Sequence, residues 1–384
     1  YLGYFKEAIM SMLKFISATA CLVVIAVRVY ASTDTIGPNG INSAGLRDFN
    51  GAPLNGAGIA IAELNEDRPG DPDFDTMDSL FHSLTNPEEV FFRDAGPPLS
   101  FDATADESME IGEHAVWVAG LMISTDATAT GVATGADLYA AGDNGTAPDF
   151  DPESAVTAQH LVSLPAQIRA INMSFANPLV GSHIPNGNQL FTLFVDWSAS
   201  EHDVLYVVSG NQAGETNVIP TDDFNGITVA ASAKIGGTGA YRQVWVDNRY
   251  DADAEGEERT SIDLIAPGVD IDLIGFDDMP AADDENDGTS YAAPHVSGTV
   301  ALLQQYADER IMNAGAPRWG ASARRHEVMK AVLMNSADKL IDDGTVMVEG
   351  SAVPMGGLLG MERTVVKQDG TSTWLDSQAY DDSL

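Results

Sequence analysis

One serine of the chain stands in a context that suits a nucleophile. In the segment GTSYAAPHVSGTVALL (288–303), Ser290 follows a Gly-Thr pair and precedes a long apolar pattern typical of a helix. A serine at the first turn of a helix lies at the positive end of the helix dipole, which stabilises an alkoxide, and its N–H can bind an oxyanion. A serine in this position can also be an ordinary helix cap. Pro294 is expected in the first helical turn, and Gly298 is expected to let another backbone approach closely.

Two other side chains could assist such a serine. His114 begins a helix-compatible run, HAVWVAG (114–120), and an imidazole near a serine can act as general base. Asn211 follows the apolar run 204–210; an asparagine there usually forms a turn, but its amide could donate to an oxyanion. His295 lies inside the serine segment, five residues along the predicted helix, and is expected to pack.

Elements able to position these residues alternate along the chain. Short, almost wholly apolar runs predict buried parallel strands at 58–64, 136–141, 168–174, 204–210, 226–232 and 262–268. Helical patterns lie around 112–124, 152–165, 189–200, 291–306 and 323–337. This alternation predicts an α/β fold with a doubly wound, mainly parallel sheet and helices on both faces. In such folds the site gathers at the carboxyl ends of the strands.

The serine segment resembles the serine motif of subtilisin-like serine peptidases, the subtilase family. HAVWVAG resembles the histidine motif of that family, and IAIAELN (59–65) resembles its aspartate strand. Further blocks follow in the family's order: INMSFA (171–176), SGNQAG (209–214), DLIAPG (263–268) and VMKAVLMNSADKL (328–340). The resemblance covers roughly 56–340, and the order acid, histidine, serine is that of subtilisin.

The resemblance implies a role for each matching residue. It makes Ser290 the nucleophile, His114 its general base and Glu63 the acid that orients the imidazole, with Asn211 and the Ser290 N–H binding the oxyanion. Substrate-binding positions would be Ser174, Phe175, Ala176, Ser209 and Gly210. The implied activity is that of an endopeptidase working through an acyl-enzyme, with no cofactor for catalysis. Its partner would be a polypeptide bound in extended form by β-augmentation.

The chain departs from the family pattern at several of these positions. Glu63 replaces an aspartate and is one methylene longer; alternatively it only ends a strand and the triad is broken, and Asp67 is the reserve candidate. Ala115, Val116 and Trp117 replace Gly, Thr and His, residues that mostly pack. Ala176 replaces a glycine in the pocket wall and could narrow access for the substrate backbone. A catalytically impaired, peptide-binding scaffold is therefore the alternative function.

A serine esterase of another α/β type is a further alternative. The serine lies in GTSYA rather than in the G-x-S-x-G elbow of those enzymes, which disfavours it.

The chain divides into four predicted segments. Residues 1–31 resemble a signal peptide with an apolar core at 15–27 and cleavage after Ala31, which predicts a secreted or periplasmic protein without stable membrane association. An uncleaved anchor is the alternative, although a spanning helix needs about 20 apolar residues. A connector follows at 32–55 and the peptidase domain at 56–340. Residues 341–384 form a C-terminal extension or the truncated end of the domain.

The overall charge narrows the range of partners. The chain has 57 Asp+Glu against 19 Lys+Arg, a net charge of −38, which disfavours nucleic-acid binding because such a surface repels phosphates. The acidity favours solubility in salt first and structural calcium second, and drift in a secreted protein is a third explanation. Cys21 is the single cysteine, so no internal disulfide can form. A monomer is expected.

Overall fold

Six parallel strands form the centre of the protein, as seen in a computed structural model. In order across the sheet they are Leu264–Pro267 (β11), Ile227–Lys234 (β9), Leu205–Ser209 (β7), Ile168–Met173 (β5), Ala60–Asn65 (β1) and Asp137–Gly142 (β4). They coincide with the six predicted strands. The structure describes residues 33–37, 40–66, 69, 87–93, 101–102, 112–126, 129–142, 150–175, 177–178, 186–210, 218–234, 241–245, 262–273, 287–312, 319–339, 345–348, 351–354, 364–366, 372–374 and 382–383.

Shorter strands extend this sheet or form small hairpins. The extensions are Pro87–Arg93 (β2), Phe101–Asp102 (β3), Tyr241–Trp245 (β10), Asp338–Lys339 (β12) and Asp382–Ser383 (β17). The antiparallel pairs are Asn177–Pro178 (β6) with Val218–Ile219 (β8), Thr345–Val348 (β13) with Ser351–Pro354 (β14), and Thr364–Val366 (β15) with Ser372–Trp374 (β16).

Helices cover both faces of the sheet. They are Thr33–Ile36 (α1), Glu113–Ile123 (α2), Phe150–Val162 (α3), Leu190–His202 (α4), Thr289–Met312 (α5) and His326–Ser336 (α6), with 3₁₀ turns at Ser43–Gly45 and Ala321–Arg324. One apolar core joins the sheet to α2, α5 and α6, and a second joins its other face to α3 and α4. The predicted doubly wound α/β fold is therefore confirmed.

Strand β1 shows how the two faces are assigned. Ile61 belongs to the core under α2 and α5, whereas Ala62 and Leu64 belong to the core under α3 and α4. Because side chains alternate along a strand, Glu63 and Asn65 share the face of Ile61. The last two polar residues of β1 are thus directed toward the helices that carry the predicted serine and histidine.

Helix α5 contains Pro294 and Gly298, the two residues singled out from the sequence. Pro294 is the sixth helical residue rather than part of the expected first turn. A Cβ at Gly298 would lie 2.6 Å from the Val132 Cβ, so the missing side chain lets the chain at Val132 pack closely against α5. The N–H of Val132 donates to the Leu121 carbonyl at the end of α2. Gly298 therefore sets how closely α5 approaches α2.

The predicted segments outside the domain are only partly described. The predicted signal peptide, 1–31, lies outside the described residues, and only short strands of 341–384 lie within them. The end of the connector is held on α5, because the N–H groups of Asn55 and Gly56 donate to the Gln305 side chain at 3.1 and 2.8 Å. Within the described part of the chain, no helix has the length and apolarity to cross a bilayer.

Gly298→Ala should destabilise the protein by about 1–3 kcal/mol, because the added methyl overlaps the Val132 Cβ. In an exposed helix, glycine to alanine increases the free energy of unfolding by about 1 kcal/mol. A decrease in Gly298→Ala would therefore indicate the overlap with Val132. Urea unfolding measures the effect. In a double-mutant cycle, Gly298→Ala should destabilise the Val132→Gly protein much less than the native protein, because the overlapping side chain is gone. Strictly additive losses of stability would show that the Val132 side chain does not limit how closely α5 packs here.

Candidate active site

The carboxyl ends of the central strands meet at one edge of the sheet, and the predicted site residues gather there. Asn65 ends β1, Ser174 follows β5, and Gly210 follows β7. Parallel strands place such residues side by side, which is the usual location of a site in this fold. Helix α5 begins at the same edge, since the Thr289 hydroxyl donates to the Gly210 carbonyl at 2.5 Å.

Backbone contacts fix the start of α5. The N–H of Gly288 donates to the Gly268 carbonyl at 2.7 Å, just after β11. A Cβ at Gly268 would lie 2.6 Å from both the Gly288 carbonyl oxygen and the Ala231 Cβ, so only glycine allows this approach. Ser290 follows as the second helical residue, with 8% of its surface exposed. It lies at the positive end of the helix, as the sequence predicted.

Ser290 and Ser174 exchange two hydrogen bonds. The Ser174 hydroxyl donates to the Ser290 carbonyl at 2.7 Å, and the Ser290 hydroxyl donates to the Ser174 carbonyl at 3.1 Å. Pro294 explains the first bond. Its nitrogen has no hydrogen, so it cannot supply the usual helical bond to the carbonyl four residues earlier, which is that of Ser290. Ser174 supplies the missing donor from the neighbouring strand.

A chain of buried polar side chains supports Ser174. The Ser297 hydroxyl donates to Asn172 Oδ1 at 2.9 Å, and Asn172 Nδ2 donates to the Ser174 hydroxyl at 2.9 Å. All three side chains are almost fully buried. The network joins β5 to α5 and fixes the rotation of the helix, and with it the position of Ser290.

His114 is the second residue of α2, and its ring faces α5. Its centroid lies 6.0 Å from that of Tyr291, which in turn packs edge-on against Trp117. Ala115, Val116 and Trp117 are buried, so the residues that depart from the family's histidine motif do pack. Among the described contacts, His114 and Ser290 share no hydrogen bond, because the serine hydroxyl is directed at Ser174.

The residue that directly contacts the His114 ring from β1 is Asn65. Its Nδ2 lies 3.2 Å from His114 Nδ1 and 3.1 Å from Glu63 Oε1. The sequence predicted that Glu63 would accept the imidazole N–H. In the structure, the Asn65 amide stands between the two side chains. Glu63 is fully buried, and its second oxygen, Oε2, has no hydrogen-bond partner among the described residues.

Burial keeps the ionisable groups of this region neutral. Desolvation raises the pKa of Glu63 from 4.5 to about 8, although the hydrogen bond from Asn65 opposes the rise. Desolvation also lowers the pKa of His114 from 6.5 to about 4. At neutral pH the carboxyl is largely protonated and the imidazole uncharged, so they form no ion pair.

The remaining predicted residues fall into two groups. Asn211, Ala176 and the reserve acid Asp67 lie outside the described residues. Ser209 is buried at the end of β7, Gly210 is buried beside it, and the Phe175 side chain lies in the core shared with α3 and α4. Contact of these residues with substrate stays a prediction. His295 packs as expected, fully buried, with Nδ1 donating to the Tyr291 carbonyl at 2.7 Å.

Sequence reasoning missed Asn65. The available signal was the period of the strand: Asn65 lies two residues beyond Glu63, on the same face and closer to the carboxyl end. Sites in parallel sheets collect at that end. The resemblance of IAIAE to the family's aspartate strand predicted contact through the carboxylate of Glu63 instead.

One cluster among the described residues has metal-ligating side chains at short range, namely Asp203, His326 and Glu327. Asp203 caps α6 by accepting the His326 N–H at 2.9 Å, and Glu327 pairs with Arg325 at 2.6 Å. Calcium prefers six to eight oxygen ligands, which this cluster does not offer. Structural calcium therefore stays a prediction.

A model described as the subtilase family matches residues 56–352. The chain belongs to the subtilase family. That family is one of subtilisin-like serine peptidases, and the match spans the strands and helices that carry Glu63, His114 and Ser290. No curated protein matches this subtilase.

Solved structures show the same fold. The S41 psychrophilic protease is 23% identical, with a TM-score of 0.53 over 82% of this chain and 93% of that chain. The MycP3 protease of the type VII (ESX-3) secretion system is 18% identical, with a TM-score of 0.52 over 81% and 83%. A protease from Pseudoalteromonas arctica is 16% identical, with a TM-score of 0.51 over 82% and 91%.

Ser174→Ala should lower the free energy of unfolding by about 1–3 kcal/mol, because it leaves the buried Ser290 carbonyl and the Asn172 amide without their partner. The matched control is Ser232→Ala: Ser232 is also buried, but its hydroxyl has no hydrogen-bond partner among the described residues. The control should be close to neutral in denaturant unfolding. Equal losses in both variants would contradict the role assigned to Ser174.

Stability should decrease as the pH rises from about 6.5 to 8. Desolvation raises the pKa of Glu63 and of Asp223 to about 8, so the folded state holds protons that the unfolded state loses above 4.5 and 3.8. Desolvation lowers the pKa of His114 and His295 to about 4, so these two residues destabilise the folded state only when the pH falls below 6.5. Above pH 6.5 both rings are neutral in the folded and the unfolded protein, and they add no pH dependence.

Urea unfolding across this pH range measures the slope. Glu63→Gln should reduce the slope, because glutamine does not titrate, and the part due to Asp223 should remain. An unchanged slope in Glu63→Gln would show that Glu63 is already ionised in the folded protein.

Proposed function

We propose that this subtilase hydrolyses peptide bonds through an acyl-enzyme formed on Ser290, with His114 as general base. The observation that carries the proposal is the position of Ser290, held at the first turn of a buried helix and at the same sheet edge as His114. The buried polar network behind Ser174 fixes the helix, so the serine is presented at a defined place. Such preorganisation is what an acyl-transfer site requires.

Activation begins with a rotation of the Ser290 hydroxyl away from the Ser174 carbonyl. The freed oxygen attacks the carbonyl carbon of the substrate, His114 takes the proton, and the same proton then passes to the leaving amine. The Ser290 N–H and the Asn211 amide would bind the oxyanion; removing one such donor typically costs about 10²–10³ in rate. Water then releases the acyl group by the reverse steps. Glu63 and Asn65 act behind His114 and touch no substrate.

The substrates we propose are exposed, extended segments of polypeptides outside the cell. Residues 1–31 support export, and the net charge of −38 supports solubility and disfavours nucleic acid as a partner. We propose that the working form is a monomer.

A second candidate function is a peptide-binding scaffold with little or no catalysis. Two contacts favour it: the Ser290 hydroxyl donates to Ser174, and the His114 ring faces an amide rather than a carboxylate. A scaffold would bind peptides through the same sheet edge without needing an active nucleophile.

The purified protein should react with a fluorophosphonate probe at Ser290 and should cleave unfolded casein, at low or high salt. Both activities should vanish in Ser290→Ala and persist in Ser232→Ala, which removes a buried hydroxyl that has no hydrogen-bond partner among the described residues. Mass spectrometry locates the label. If no condition gives labelling, and peptides bind equally well to Ser290→Ala, the scaffold is the correct function.

A further inference from the structure

We propose that Asn65 occupies the place of the triad acid in this protein and that its amide favours the His114 tautomer protonated on Nε2, so that only the minor tautomer can deprotonate Ser290. The inference rests on the proposed function, because it concerns the activation of the same serine. It assigns Asn65 as the residue that positions His114 and Glu63 as a residue that positions Asn65. It also implies that the native protein is a slow peptidase, limited by one side chain.

The distances place Asn65 at the ring. Asn65 Nδ2 lies 3.2 Å from His114 Nδ1 and 3.1 Å from Glu63 Oε1. An amide nitrogen carries two hydrogens, so one group can donate to both partners. Asn65 ends β1 and faces α2, whereas Glu63 lies one strand repeat further from that end and contacts the same amide.

A backbone donor decides which way the amide is turned. Asn65 Oδ1 accepts the N–H of Glu66 at 2.9 Å. If the amide were reversed, its NH₂ group would face that fixed N–H, donor against donor. The orientation in the structure pairs the Glu66 N–H, Glu63 Oε1 and His114 Nδ1, so Nδ2 is the atom that faces the imidazole.

The tautomer of His114 follows from that orientation. Because Asn65 donates to Nδ1, Nδ1 must carry a lone pair and the proton of the neutral ring must lie on Nε2. In a working serine triad, a carboxylate accepts Nδ1–H and leaves Nε2 free to take the serine proton. Burial keeps this ring neutral, with a pKa of about 4, so a doubly protonated ring does not relieve the mismatch. The Ser290 hydroxyl accordingly donates to the Ser174 carbonyl.

Glu63 has a supporting part in this arrangement. It accepts one hydrogen from the Asn65 amide, and its other oxygen has no partner among the described residues. The neutral isostere glutamine can also accept that hydrogen. Replacing Glu63 by glutamine should therefore lower kcat far less than the factor of about 10⁴ that removing the charge of a true triad acid costs.

The decisive variant is Asn65→Asp, which converts the amide into a carboxylate of the same shape. Its two oxygens can accept the Glu66 N–H and the His114 Nδ1–H, which leaves Nε2 free. We expect kcat for a chromogenic peptide to rise at least about 100-fold, a part of the 10⁴ that the reverse change costs in a working triad. KM should change less than about threefold, because Asn65 touches no substrate. Asn50→Asp adds the same charge at an exposed turn and should have no effect.

The tautomer can be measured directly in the native protein. In ¹⁵N spectra of histidine-labelled protein, with His114→Gln used to assign the ring, native His114 should carry its proton on Nε2. In Asn65→Asp the proton should move to Nδ1. A native ring protonated on Nδ1 would overturn the inference. If the new carboxylate beside Glu63 prevents folding, the double variant Glu63→Gln/Asn65→Asp removes the second acid and should show the same gain.

The outcomes separate this inference from the proposed function. If the native protein cleaves the peptide, loses about 10⁴ in kcat on Glu63→Gln and gains nothing on Asn65→Asp, then Glu63 is the triad acid and only the inference is wrong. A folded Asn65→Asp that is active beside an inactive native protein supports the inference and makes the native protein a scaffold. Folded native and Asn65→Asp proteins that both fail to react with fluorophosphonate would refute both proposals.

Discussion

Burial of helix α5 is the constraint on which the site depends. Every residue from Thr289 to Leu302 is buried, so this part of the helix is packed on all sides. Its apolar side chains fill the core between the sheet, α2 and α6. The absence of a side chain at Gly298 sets its approach to the Val132 side chain, and the Ser174 hydroxyl fixes its first turn. Since Ser290 belongs to that turn, the core that stabilises the fold also positions the candidate nucleophile.

Glu63 and His114 are buried in the same core, and their burial determines whether they are charged. The chain carries a net charge of −38, yet Glu63 lies in a dry interior that favours its protonated form, and the His114 ring is neutral for the same reason. Hydrogen-bond geometry therefore governs the site more than ion pairing does. The Asn65 amide contacts the Glu63 carboxyl, the Glu66 N–H and the His114 imidazole, and it carries no charge. The tautomer of the ring therefore depends on which atom of this amide faces Nδ1.

Three residues that differ from the pattern expected from the sequence are explained by contacts between elements. Pro294 lies one turn further into the helix than expected, and the lost helical bond is replaced by a hydroxyl from a neighbouring strand. Trp117, which replaces a histidine of the family's motif, packs edge-on against Tyr291 of α5. Phe175 fills the opposite core, although its segment resembles a pocket wall. In each case the side chain contributes to packing between elements, which the sequence alone does not show.

The alternation of buried strands and helices, the family and the places of Ser290 and His114 could all be predicted from the sequence. These features follow from apolar runs of the right length and from one long motif, both of which are local properties. Which side chains meet depends on the packed fold: Asn65 and not Glu63 lies at the imidazole, and Ser174 rather than His114 lies at the Ser290 hydroxyl. A one-dimensional pattern gives the face of a strand but not the distance to a helix that joins it later in the chain. Hydrogen-bond partners depend on differences of a few tenths of an ångström, which are set by packing across the whole core.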